Sequence, residues 1–311
     1  MINGIINVYK EKGYTSHDVV AKLRGILKQK KIGHTGTLDP DAEGVLPVCL
    51  GKATRVCDLL TDKDKVYQAV LLLGKVTDTQ DITGTVLREA SVECSKEEIQ
   101  KVIRGFVGEY AQIPPMYSAL KVNGKKLCDL ARAGVEVERS PRLVQIYSID
   151  VQKIALPRVW LEVHCSKGTY IRTLCQDIGE SAGCGGCMES LLRTRVADFE
   201  LKDAYRLAEI EAQVLAARSE HSQGGLTRDD LTQFVKATDS VFLQYPKLCV
   251  EEKFSKLLYN GNPLRLQWIS DWKNSYQNTI VRVYDHNQVF VGIYQWKEAS
   301  RDIRPIKIFM E

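Results

Sequence analysis

Gly33-His34-Thr35-Gly36-Thr37-Leu38-Asp39-Pro40-Asp41-Ala42-Glu43-Gly44-Val45-Leu46-Pro47-Val48-Cys49-Leu50 sets one carboxylate, Asp39, in a glycine- and threonine-rich loop, with His34 five residues upstream. Gly33, Gly36 and Gly44 open backbone conformations closed to other residues, while Pro40 fixes its own φ and steers Asp39 away from helix. The carboxylate therefore belongs on a stiff, extended turn, the kind of place where reactive groups are held. Two other readings of the stretch fail on residue identity. Asp39, Asp41, Glu43 and Gly44 match positions 1, 3, 5 and 6 of a calcium-binding EF-hand loop, but position 12 requires a bidentate Glu and is Leu50. Gly51-Lys52 suggests a phosphate-binding P-loop, yet Leu46 stands at its first glycine and Ala53 where Ser or Thr must hold magnesium. A plain surface turn is the remaining alternative.

A chain of 311 residues, 44% of them hydrophobic, can bury a full core and is long enough for one large domain and a small one. The formal charge of +4 is mild, but basic residues cluster. Lys22, Arg24, Lys28, Lys30 and Lys31 precede the Asp39 loop, and Lys121, Lys125, Lys126 and Arg132 lie farther along; such patches suit a phosphate backbone and equally a solvated helix face. Nine scattered cysteines without a hydrophobic amino-terminal signal segment point to reduced thiols and a cytoplasmic protein. Cys184 and Cys187 form the one Cys-x-x-Cys pair; a structural zinc site needs a second pair, so they read as small buried residues and no metal is expected. No apolar run approaches the ~20 residues of a membrane span.

Periodicity places these features on elements. Thr15-Ser16 reads as an N-cap, and Val19, Val20, Leu23, Ile26 and Leu27 recur at helical spacing, so a helix leads into the loop. Val66, Gln68, Val70 and Leu72 alternate with Tyr67, Ala69, Leu71 and Leu73, predicting a strand largely buried on both faces that carries Tyr67 inward. Val159, Leu161, Val163 and Cys165 line one face of a second strand. Ser166 to Gly168 turn the chain, and Ile171, Leu174, Cys175 and Ile178 start a helix with Arg172 in its first turn. Strands and helices without regular βαβ alternation argue α+β. Residues 216–232 turn polar around Gly224-Gly225 and predict a linker; beyond it, runs such as Thr279 to Tyr284 and Val289 to Tyr294 predict a small β-rich domain. The division expected is 1–240 and 241–311.

The segment Gly33 to Pro40, followed by Gly44-Val45-Leu46-Pro47 and Gly51-Lys52-Ala53-Thr54, resembles the hallmark of the TruB family of tRNA pseudouridine synthases. Further segments similar to that family follow in its order along nearly the whole chain: Asn7 to Lys10 with Gly13 and Thr15-Ser16; Lys65-Val66-Tyr67 with Leu73-Gly74-Lys75 and Thr77 to Gly84; Ile113 to Ala119 with Lys121 to Gly124; and Ser166 to Leu174. The resemblance implies a catalytic domain with a mixed, mostly antiparallel sheet and flanking helices, and a carboxy-terminal RNA-binding module of PUA-like type. It implies isomerisation of uridine 55 in the T loop of tRNA without a cofactor, on a base extruded from the loop, by a monomer that needs no protein partner. Asp39 would be the nucleophile and Arg172 its paired cation, with a lowered carboxyl pKa and protection from solvent the physical expectation. Tyr67 would stack on the uracil and help move a proton; His34, Tyr170, Leu191 and Lys10 would contact substrate.

Glu11 stands where the family usually has proline, Asp41 and Glu43 replace Leu and Thr, and Cys187 and Leu192 replace His and Arg. The extra acids and lost basic residues are expected to weaken phosphate contacts. Intact Asp39, Tyr67 and Arg172 favour an enzyme over the alternative, an RNA-binding tRNA folding factor whose catalysis is dispensable. A hydrolase releasing uracil and a guide-RNA-dependent relative are weaker alternatives, the latter because the chain lacks long charged tails.

Overall fold

The computed structural model describes residues 1–220, 226–269, 272–273, 276–277 and 279–310. Among the described residues, ten strands form one mixed sheet. Its order is Val235–Lys236, Gly4–Lys10, Glu43–Leu50, Gly186–Val196, Lys65–Leu73, Arg158–Cys165, Arg142–Ala155 and Gly108–Gln112; Ile32–His34 joins Glu43–Leu50, and Phe199–Glu200 joins Gly186–Val196. Every pairing is antiparallel but one. Glu43–Leu50 meets Gly186–Val196 in parallel, with Arg193 opposite Gly44, immediately after the Asp39 loop. The fold is α+β, as expected.

The helix Ser16–Leu27 begins at Thr15, whose hydroxyl and the Asp18 carboxylate complete a capping box, and it ends at Lys28 in the left-handed region (φ 54°). Val19, Val20, Leu23, Ile26 and Leu27 pack with Val8, Leu46 and Val48 of the sheet, and with Leu207, Ile210 and Val214 of the helix Leu207–Glu220. Each buried aliphatic there contributes roughly 1.5–3 kcal/mol of burial. In the strand Lys65–Leu73, Lys65, Tyr67, Ala69, Leu71 and Leu73 are buried. The alternate residues are only half-buried, which amends the expectation of two buried faces. Ile171, Leu174, Cys175 and Ile178 of the helix Ile171–Ser181, with Ile99 and Ile103 of Lys96–Arg104, join the Tyr67 face in one core cluster, so this side is the interior.

The predicted linker is corrected. Gly224-Gly225 lie outside the described residues, but the helix runs to Glu220, and Leu231, Phe234 and Val235 return to the same core as Val214. Val235–Lys236 then closes the sheet edge beside Gly4–Lys10. Of the described residues in that stretch, those up to Glu220 continue the helix and Leu231 belongs to the core.

A second sheet, Lys247–Cys249, Ile280–Tyr284, Phe290–Lys297 and Asp302–Ile308, builds the small β-rich unit around Leu248, Val283, Val291, Tyr294 and Ile303. Phe242, Ile293 and Phe309 pack with Val45, Cys49, Val196 and Phe199, so the two sheets share a cluster behind the Asp39 loop. Arg55 donates to the carbonyls of Ile308 and Met310, and Lys307 pairs with Asp58 across the same seam. No described helix is long and apolar enough to cross a membrane.

Gly44 has φ +106°, and a Cβ there would collide with the Arg193 backbone across the parallel junction. Gly44→Ala is expected to lower stability by about 2–3 kcal/mol. Gly25, in the helix with open space around it, is the matched control: Gly25→Ala should raise stability by about 1 kcal/mol. Denaturant midpoints decide, and equal effects at the two sites would refute the close-approach argument.

Candidate active site

Asp39 follows the short strand Ile32–His34 and precedes Glu43–Leu50, in a segment with little regular structure of its own. Its shape is imposed from below by buried groups. Lys10 is fully buried, and its ammonium donates to the carbonyls of Glu11 (3.2 Å), Pro40 (3.0 Å) and Ala42 (2.6 Å). Arg193, 1% exposed, donates through Nε to the Val45 carbonyl (2.7 Å) and through its Nη atoms toward the carbonyls of Thr37 and Gly36 (3.5 and 3.3 Å). Leu38 N–H donates to the Ser16 hydroxyl (2.9 Å), and Gly13 N–H to the Pro40 carbonyl (2.9 Å). A buried charge is tolerated only when its donors are satisfied, and here the partners are the loop's own carbonyls.

This corrects the expectation for Lys10. Its ammonium is engaged beneath the loop and has no surface for a substrate, so it shapes the site instead of touching what binds there. Burial lowers its pKa to about 8, against the pull of Asp39, Glu43 and Asp41. Neither Arg193 nor Ser16 was expected among the site residues. The available signal was Gly44, whose conformation is required by the Arg193 backbone.

Asp39 meets Arg172, the pairing that the family resemblance implies. Arg172 Nε lies 3.0 Å from one carboxylate oxygen, and Nη2 donates to the other at 3.5 Å. The guanidinium is buried in the first turn of Ile171–Ser181 and divides its donors: Nη2 also reaches the Tyr117 carbonyl (2.7 Å), Nη1 reaches the Thr79 carbonyl (3.0 Å), and Asp81 lies 3.9 Å away. Two parts of the expectation change. The Asp39 side chain keeps 41% of its surface open, so the pair does not seal it from water. Its pKa is raised rather than lowered: burial pushes it up, Arg172 pulls it down, and the Asp81 carboxylate pushes it up again. One shared guanidinium facing two carboxylates does not offset the desolvation.

Tyr67 is 8% exposed, opposite Val163 and Arg193 in the sheet. Burial raises its phenol pKa, against the field of Arg193, while Asp39 adds to the rise. Leu191 packs against the same cluster, as do Leu38 and Ala42 of the loop. Tyr170, half-buried, precedes the Arg172 helix and lies in the field of both Arg172 and Asp39. His34 is half-buried at the end of Ile32–His34; its Nδ1 accepts from Gly36 N–H (3.3 Å), so the neutral ring carries its proton on Nε2. Burial, then His17 and Arg193, lower its pKa, and the His17 ring packs edge-on at 5.5 Å. Asp39, Arg172, Tyr67, Tyr170 and Leu191 thus come together from four separate stretches, and His34 ends the short strand that leads into the Asp39 loop.

Surface hollows of about 480 and 660 Å³, one near Leu73 and Pro157 and one near Tyr14 and Lys22, include none of these residues. Of the residues that depart from the family pattern, Cys187 is buried and Leu192 half-buried in the sheet.

Comparison with known proteins covers nearly the whole chain. The model of the TruB family pseudouridylate synthase N-terminal domain matches residues 24–171, and that of the tRNA pseudouridylate synthase B C-terminal domain matches residues 172–242. A tRNA pseudouridine synthase B of Lachnoclostridium phytofermentans is 53% identical, covering 99% of this chain and all of its own. That of Alkaliphilus oremlandii is 44% identical over 94% of this chain and 97% of its own. Among solved structures, a chain of a Cbf5-Nop10-Gar1 complex superposes with a TM-score of 0.72 and 26% identity, covering 99% of this chain and 85% of that one. A chain of an H/ACA RNP bound to a substrate RNA containing 2'-deoxyuridine shares the fold (TM-score 0.71, 24% identity, 99% and 85% covered). Sequence identity at this level over full length, joined to a shared fold, makes the chain a member of the TruB family of pseudouridylate synthases.

Proposed function

We propose that this chain isomerises uridine 55 in the T loop of tRNA to pseudouridine, with Asp39 as the nucleophile. The observation that carries the reading is the 3.0 Å pairing of Asp39 with Arg172 on a loop pinned by buried cations, beside the buried Tyr67. Named relatives that act on tRNA and match the chain from end to end support the substrate.

The reaction breaks the bond from N1 to C1′, turns the uracil and joins C5 to C1′, with no net oxidation and no water added. A carboxylate suits it because it can attack an electrophilic carbon, at C1′ or at C6, and leave again. Arg172 orients that carboxylate, and the raised basicity of Asp39 favours bond formation. Burial keeps the Tyr67 phenol neutral, which leaves a ring to stack on the uracil and a hydroxyl to relay the proton that leaves C5. A base inside a folded loop must be turned out to reach Asp39, and the neutral His34 ring, with its donor on Nε2, is suited to stack where the uridine was. Tyr170 and Leu191 complete the walls. Lys22, Lys28, Lys30 and Lys31 on one side, and Lys121, Lys125 and Lys126 on another, are exposed and suit tRNA phosphates. We take the working unit to be one chain in the cytoplasm acting without a protein partner.

The test is tritium release from C5-labelled uridine in unmodified tRNA, with the modified position mapped. Asp39→Asn is expected to reduce release by about a thousandfold or more while tRNA binding stays unchanged. Normal turnover by this variant would remove Asp39 as nucleophile, whereas no release by the unaltered chain while tRNA is bound would leave the RNA-binding folding factor as the better reading.

The reaction needs Asp39 ionised, and its pKa is raised, so kcat/KM should fall as pH drops through an acidic limb lying above the ordinary carboxylate value. Asp81 contributes to that rise, so Asp81→Asn should move the limb to lower pH. A limb that stays in place or climbs in this variant contradicts the electrostatic account.

A further inference from the structure

The helix Ile171–Ser181 starts without a capping side chain: its N-cap is Tyr170, which makes no side-chain cap bond. Its first turn nevertheless carries Arg172, whose geometry toward Asp39 must be held closely. The missing anchor comes from 58 residues earlier in the chain. Gln112, the last residue of the edge strand Gly108–Gln112, is 1% exposed. Its side-chain Nε2 donates to the Tyr170 carbonyl (2.9 Å), and its Oε1 accepts from Tyr170 N–H (2.8 Å). The amide thereby makes both bonds that a paired strand residue would make, on a residue that belongs to no strand. The same Tyr170 carbonyl accepts Leu174 N–H at 3.1 Å, the first bond of the helix. A few residues beyond Gln112, the Tyr117 carbonyl takes Arg172 Nη2 at 2.7 Å. One segment therefore grips the start of the helix and the guanidinium that the helix carries.

We propose that Gln112 is a positioning residue for the reaction: by clamping both backbone groups of Tyr170 it fixes the helix start, and with it Arg172 against Asp39. The proposal rests on the reading of Asp39 and Arg172 given above. Residue chemistry limits what can replace it. Only a side-chain amide offers a donor and an acceptor side by side; Asn is one methylene short, Glu can only accept, and Met of similar length does neither.

Gln112→Met separates positioning from a merely structural role. In a folded variant kcat should fall about tenfold or more, with the tRNA dissociation constant little changed, because a small misplacement of a catalytic pair acts on the reaction and not on binding of the whole RNA. The acidic limb should also move to higher pH, since Arg172 pulls the Asp39 carboxyl down against the effect of burial. Carbon-13 NMR titration of the Asp39 carboxyl in wild type and variant reports that shift without turnover, so the proposal can be judged even if the wild type proves inactive on tRNA, a result that would sink the proposed function alone. Gln112→Glu, which keeps the acceptor for Tyr170 N–H, answers the same question on kcat should Gln112→Met fail to fold. An unchanged kcat together with an unmoved Asp39 titration, or a loss confined to tRNA binding, overturns the proposal.

Discussion

The structure turns on a single contact between two segments 133 residues apart: the guanidinium of Arg172 against the carboxylate of Asp39. Neither partner is rigid by itself. An arginine has several free rotations, and an aspartate in a loop takes its position from the loop. Each is held by something else, Arg172 by the carbonyls of Tyr117 and Thr79 and Asp39 by a backbone whose carbonyls are bound from beneath. The ten-stranded sheet, with its one parallel junction at Gly44 and Arg193, serves to bring those two supports into register.

The choice of buried cations as supports follows from what a loop lacks. Its carbonyls have no ladder partner, and left dry and unpaired each would cost about 1–3 kcal/mol. A lysine with three donors, or an arginine with five, can satisfy several such oxygens from one point, which a neutral side chain cannot. The arrangement is reciprocal: the cation is tolerated because the carbonyls surround it, and the carbonyls are ordered because the cation is fixed. It also leaves the top of the loop free, so that Asp39 is open on the side where a substrate must approach while its backbone is held on the other.

Much of this was legible in the residues. The helix over Val19 to Leu27, the inward face of Tyr67, the strand of Val159 to Cys165 and the helix carrying Arg172 all declare themselves through period and capping, because one buried face imposes its spacing on the chain. The pairing of Asp39 with Arg172 came from resemblance to a family, and no local pattern would have given it. What stayed hidden depends on distant packing. Lys10 reads as a surface cation until the loop is seen folded over it. The sign of the Asp39 shift is set first by burial, which distant packing decides, and the Asp81 carboxylate adds to it through a turn that sequence spacing does not connect to the loop. Residues 216–220 looked like the start of a linker because the solvated end of a helix and a linker share a composition; only the run of the helix to Glu220 and the return of Leu231, Phe234 and Val235 to the core tell them apart.

The acids that depart from the family pattern show how such a change is accommodated. Glu11, where proline is usual, pairs with Arg206 at 2.6 Å, and Arg206 lies over the Tyr9 ring at 4.5 Å. The Tyr9 hydroxyl in turn donates to Glu43 at 3.1 Å. Glu11 and Glu43 are thus joined through Tyr9 to one arginine, a patch that presents only part of its negative charge outward. Exposed pairs of this kind add little stability, about 0–1 kcal/mol. Their effect on an approaching polyanion is a separate matter: beyond a Debye length of about 8 Å a paired acid and base nearly cancel, so Glu11 subtracts little from the attraction of the nearby lysines. Asp41 differs, since its nearest cation is Lys12 at 3.9 Å with both side chains more than half exposed. Of the three acids, only Glu11 has a close cation of its own; Glu43 is bound by the neutral Tyr9 hydroxyl, and Asp41 stands two residues from Asp39 with its charge turned to water.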